Sequence, residues 1–170
     1  NGKSEGEYLT WFPDGSLKIR ETFRDGKNEG AYTEYYENGA VGVSGQYKDG
    51  NEEGEWKYYY PNGILSRTQT FTAGMVTGVA KEFHNNGKIS TERVFDNTGK
   101  LNGKSVYYDH YGRKMVEEDY QNGLIVKVTT GFNNPDKLSV FGDQNGTFSY
   151  RTYSADGRLW SEGSYQKGMP

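Results

Sequence analysis

The side chains best able to do chemistry in this chain are few, and they are not matched to one another. His84 and His110 are the only histidines among 170 residues. One falls just before a turn and the other inside Asp109-His110-Tyr111, so both read as exposed polar residues rather than metal ligands or general bases. There is no cysteine, which removes thiolate zinc sites, disulfides and cysteine nucleophiles. Carboxylates are plentiful, as in Glu117-Glu118-Asp119. Neighbours on a strand alternate faces, so that run reads as a solvated edge and not as an acid/base pair. Asp25, Asp49 and Asp96 sit near glycine turns, where Asp bonds its own backbone. A calcium site there is the weaker reading. The glycines are not followed by a helix and do not make a phosphate loop. Asn145-Gly146-Thr147 fits a glycosylation acceptor and fits a turn equally well. A non-enzymatic protein with no metal and no cofactor is the expectation.

What is left is aromatic. Tyr, Phe and Trp make up 15% of the chain, beside 24 Gly and only 32% hydrophobic residues. Rings must therefore do the burying, each removing roughly 150–250 Å² from water. Twenty Lys plus Arg against 23 Asp plus Glu gives a net charge of −3. That balance excludes a nucleic-acid binder, which needs a dense basic patch. No apolar run approaches the roughly 18 residues of a membrane span. No signal peptide is visible, and the chain opens on Asn1 in what reads as the tail of a repeat. It is expected to be a piece of a longer protein, of unknown compartment.

The rings and glycines recur. Units start at Gly6, Gly30, Gly54, Gly78 and Gly103, turn at Gly15, Gly39, Gly63, Gly87 and Gly112, and close at Gly26, Gly50, Gly74, Gly99 and Gly123. The period is 24, with one extra residue, Asn97 or Thr98, in the fourth closing turn. The whole chain, 1–170, reads as one tandem-repeat domain. Regular repeats cover about 6–126. A degenerate one follows at about 127–147, with Phe132 in the aromatic place and Pro135-Asp136 in the turn. The last runs over about 148–168, with Asp156-Gly157 as its turn. Each unit reads as two short strands and two turns. The fold class is therefore all-β, an open-ended, solenoid-like antiparallel sheet of about seven tandem β-hairpins.

Turn chemistry sets the register. Pro13 and Pro61 stand just before Asp-Gly and Asn-Gly. Proline has no N–H for a two-residue turn, so a three-residue loop is expected, with the Gly left-handed. It pairs Tyr60 with Ile64 and Tyr59 with Leu65. Period-two counting then gathers a core face. It holds Trp11 with Leu17, Tyr35 with Val41, Tyr59 with Leu65, Phe83 with Ile89, Phe132 with Leu138 and Tyr153 with Leu159. Phe23, Tyr47, Phe71, Phe95, Tyr120 and Tyr165 join them. The fifth repeat breaks the pattern with Tyr108 and Lys114. The opposite face carries Tyr8, Phe12, Tyr32, Tyr36, Trp56, Tyr58 and Tyr60, and an exposed ring stripe marks a partner site. Repeat four has Ala80, Glu82 and His84 there instead.

Glu55-Trp56-Lys57-Tyr58-Tyr59-Tyr60-Pro61-Asn62-Gly63 and Gly45-Gln46-Tyr47-Lys48-Asp49-Gly50 resemble the MORN-repeat variant, the bacterial relative of the membrane occupation and recognition nexus repeat. The resemblance is strong over repeats one to five and weak from Leu124 to Asn145. It implies an elongated, curved or twisted hairpin sheet and a scaffold or interaction module. Some relatives are proposed to bind phospholipid, and bacterial variants carry an antitoxin label. Gly74-Met75-Val76-Thr77-Gly78 is similar to the closing motif of glucan-binding repeats. The Asn-Gly turn followed by a charged strand fits the MORN variant better.

A protein partner is the leading expectation. Carbohydrate stacked on the rings is the alternative. Membrane lipid ranks lower, because anionic lipid rewards basic clusters by about 1 kcal/mol per charge. Unpaired edge strands offer a route to oligomers.

Overall fold

The computed structural model describes residues 2–130, 139–142, 147–153 and 158–167. It divides into two units, 1–87 and 88–170. The first holds β1 (Gly6–Trp11), β2 (Leu17–Arg24), β3 (Lys27–Tyr35), β4 (Val41–Lys48), β5 (Asn51–Tyr59), β6 (Leu65–Thr72) and β7 (Met75–Phe83). Each strand pairs antiparallel with the next. The second holds β8 (Ile89–Phe95), β9 (Gly103–Tyr108), β10 (Lys114–Gln121), β11 (Leu124–Thr130) and β12 (Ser139–Phe141), paired in the same way. It also holds a separate hairpin, β13 (Phe148–Tyr153) with β14 (Leu159–Tyr165). The fold is all-β, and no helix occurs among the described residues. Phe132, Leu138, Pro135-Asp136, Asn145-Gly146 and Asp156-Gly157 lie outside them.

The expected three-residue loop is present. The N–H of Tyr60 donates to the Ile64 carbonyl at 2.8 Å, and the Gly63 N–H donates to the Tyr60 carbonyl at 2.8 Å. Gly63 has φ +81°, the left-handed bulge position. Tyr36 and Phe12 repeat the arrangement one and two units earlier. The closing turns differ. Asp25-Gly26, Asp49-Gly50, Ala73-Gly74 and Asn122-Gly123 are two-residue turns with both φ positive, as strand twist favours. In the fourth repeat the extra residue turns this into a three-residue loop. The Asp96 N–H donates to the Lys100 carbonyl at 2.8 Å, and Asp96 Oδ1 accepts the Thr98 N–H at 2.8 Å.

The face assignment needs correction. Trp11 pairs with Leu17, Tyr35 with Val41 and Tyr59 with Leu65, as expected. Immediately beyond each pair, however, the second strand carries one unpaired residue: Lys18, Gly42 and Ser66, and Met115 in the fifth repeat. One extra residue reverses parity. Phe23, Tyr47, Phe71 and Tyr120 therefore lie opposite the Trp11, Tyr35 and Tyr59 row, not beside it. Their partners across the ladder are Gly6, Gly30, Gly54 and Gly103. Trp11, expected in the core, is 57% exposed. Phe83 and Ile89 fall in different units.

The aromatic packing of the first unit sits on the other face. Trp56 is 3% exposed. Tyr47 meets it edge-on at 5.0 Å, Phe71 edge-on at 6.0 Å, and Tyr32 lies 5.6 Å away. Each such ring pair contributes about 1 kcal/mol beyond its burial. In the second unit Val116, Ile125 and Val128 form the core, with Tyr107, Met115, Tyr120 and Tyr165 packed against it.

Candidate interaction surface

Of the seven rings singled out in the sequence, four lie on strands of the first unit and three open its hairpin loops, and the structure gives them different work. Alternation along β1, β3 and β5 places Tyr8, Tyr32, Trp56 and Tyr58 together. Tyr8 is 46% exposed and touches Phe23 edge-on at 5.1 Å. Tyr32 and Trp56 are held in the ring cluster. The Trp56 indole N–H donates to the Gln46 carbonyl at 3.2 Å, so that ring is anchored at both its face and its polar end. Tyr58 is half-buried under the Arg67 guanidinium, 3.8 Å from its ring centre.

Phe12, Tyr36 and Tyr60 open the three-residue loops. The Tyr36 hydroxyl donates to the Tyr59 carbonyl at 2.7 Å, and the Tyr60 hydroxyl donates to the Phe83 carbonyl at 2.7 Å. Each bond reaches 23 residues ahead and ties one hairpin tip to the next. Phe12 has no hydroxyl. Beside it lies an open recess of about 490 Å³ walled by Phe12, Tyr35, Tyr36 and Pro61.

A second periodic device ties the closing turns and was not read from the sequence. The N–H groups of Asp25, Asp49 and Ala73 donate to Oε2 of Glu5, Glu29 and Glu53 at 2.9, 2.9 and 3.0 Å. The turn glycines beside them, Gly26, Gly50 and Gly74, donate to the carbonyls of Ser4, Asn28 and Glu52. The signal was available: Glu precedes the opening glycine in three successive units, at Glu5, Glu29 and Glu53.

The second unit places polar groups where the first places rings. Ser105 stands two residues after its opening glycine, as Trp56 does, and its hydroxyl is buried without a hydrogen-bond partner. Glu118, across the ladder from it, is buried and accepts from Tyr107 at 3.0 Å and Tyr120 at 2.9 Å. Burial, then the Glu118 charge, pushes both phenols above the ordinary tyrosine range. Burial and the nearby Glu34 do the same to Tyr32. Glu117, on the opposite face, is salt-bridged to Lys104 and Lys114. His110 lies against Tyr111, the ring centres 3.7 Å apart and the planes tilted by 43°. Among the described residues no three His, Cys, Asp or Glu side chains converge on a site that could hold a metal.

The model of the MORN repeat variant matches four successive stretches, residues 4–25, 28–49, 52–73 and 76–97. Together they cover just over half of the 170 residues. The chain belongs to the MORN repeat variant family. Each MORN match begins two residues before an opening glycine and ends in a closing turn, so it spans one hairpin, and the first three matches include the glutamate brace. A search of curated proteins finds no match to the chain. MORN repeats laid on an antiparallel sheet fit a repeat-built binding or scaffold module.

Proposed function

We propose that this MORN-repeat chain is a non-enzymatic protein-interaction module whose contact surface follows the ring face of the first unit. Of the seven rings, Tyr32, Trp56 and Tyr58 serve mainly to hold the sheet. Tyr36 and Tyr60 tie the hairpin tips through their hydroxyls while their rings, with Tyr8 and Phe12, make up the proposed contact surface. The observation that carries this reading is the recess between Phe12 and Tyr36, an apolar-walled opening on an otherwise closely braced tip. Exposed aromatic surface bordered by polar groups is where protein partners gain most of their affinity.

Affinity capture from the source lysate tests it, with Tyr8→Ala/Phe12→Ala as the control. Neither side chain is part of the Trp56 cluster, so circular dichroism should report an intact sheet. A partner retained by the native chain and lost with the control is the expected result. Equal capture by both proteins would sink the proposal.

A further inference from the structure

Two hairpin tips of the first unit share a bond that the first tip lacks. Tyr36 and Tyr60 each send a hydroxyl to the backbone carbonyl 23 residues ahead. The matching pair in the first repeat is residue 12 with residue 35, and residue 12 is Phe. No hydroxyl bridges that gap, and the recess of about 490 Å³ lies there.

Its lining is specific in chemistry. Phe12, Tyr35, Tyr36 and Pro61 supply flat apolar walls, and Glu34 and Glu37 also line it, the Glu34 carboxylate accepting the Tyr32 hydroxyl at 3.3 Å. Lys18 also borders it, and its ammonium lies 5.6 Å from the Phe12 ring centre, where a ring attracts a cation. Two glutamates against one lysine make the residues that line it net negative. Asn38 is already used at both ends, accepting the Ala40 N–H at 3.0 Å and donating to the Pro61 carbonyl at 2.8 Å. An anionic ligand would face two carboxylates, and a purely apolar one would desolvate them.

We propose that the recess beside Phe12 receives an arginine side chain of the protein partner. This rests on reading the chain as a protein-binding module and names the chemistry of the contact. A guanidinium is planar, stacks on aromatic faces and takes a carboxylate through two parallel N–H groups. Lysine offers only a point charge, which Lys18 already supplies at the rim.

The test is an amide NMR titration of the whole chain with the blocked tripeptide acetyl-Gly-Arg-Gly-amide, and with its neutral citrulline counterpart. Saturable shifts confined to residues 12 and 34–39 are expected for the arginine peptide. The citrulline peptide should bind about tenfold more weakly, the loss of one cation–ring and carboxylate contact. Phe12→Tyr restores the tip-to-tip hydroxyl bond, so it should raise the melting temperature while abolishing the shifts. Glu37→Gln should weaken them without touching the fold. Equal shifts with both peptides, shifts that survive Phe12→Tyr, or none at all would overturn the arginine assignment. If the peptide fails while lysate capture still depends on Tyr8 and Phe12, only the arginine assignment falls. If capture is also indifferent to those residues, the protein-binding reading falls with it.

Discussion

Gly45 is the floor under Trp56. A Cβ built on it would stand 2.2 Å from Trp56 Cδ2, closer than any real contact, and the indole is hemmed in by Tyr32, Tyr47 and Phe71. Gly45→Ala must therefore lift the indole out of its cluster. Overpacking of this kind costs about 2 kcal/mol. A lower melting temperature with red-shifted tryptophan fluorescence is expected, and an unchanged melting temperature would contradict the packing described. This contact was half legible in the sequence. An isolated Gly inside a strand pattern marks close approach, and Gly45 has no turn to explain it. What hid Trp56 was parity. Period-two counting without the bulge puts the closing aromatics that bury it on the opposite face.

At the scale of the element, turns were readable and bulges were not. Pro13 and Pro61 exclude the two-residue loop on chemical grounds, and that argument alone fixed the Tyr60–Ile64 and Tyr59–Leu65 pairs. The extra residue that follows has no such signature. Lys18, Gly42, Ser66 and Met115 share neither size nor charge, because the position asks only for a local twist. The glutamate brace is the strongest element-level device. Ala73 sits at φ +50°, a region that alanine favours poorly, and Glu53 accepts its N–H. Glu53→Ala should cost about 1 kcal/mol and speed hydrogen exchange at the Ala73 amide. Exchange that stays as slow as in the native chain would mean the brace carries no stability.

For the molecule as a whole, buried phenols set an upper pH limit. Tyr32, Tyr107 and Tyr120 all hold their protons more tightly than free tyrosine, through burial first and then through Glu34 or Glu118. In the unfolded chain the same phenols ionise near about pH 10. Their stabilising contribution is therefore complete below that value and is lost as pH rises toward the folded-state values. The melting temperature should be level from about pH 7 to 9 and fall above about pH 10. Residue-resolved NMR should show Tyr32, Tyr107 and Tyr120 ionising together with unfolding. Ionisation of these three near about pH 10 in a folded sheet would contradict this. The period and the all-β class were legible because glycine and ring spacing repeat regardless of partner. The recess was not, since it depends on the absence of one hydroxyl at Phe12 that Tyr36 and Tyr60 possess.

The fourth closing loop carries a lesson about heredity. Its extra residue is taken up between Asp96 and Lys100, where Asp96 Oδ1 gathers the N–H groups of Thr98 and Lys100 and the Thr98 hydroxyl. A single-codon insertion there is absorbed by the loop, and the next hairpin keeps its register. The same three nucleotides placed inside a strand would turn every side chain beyond them to the wrong face. Genes of this kind can thus vary in length at the closing turns while the interior of each unit stays closed to insertion.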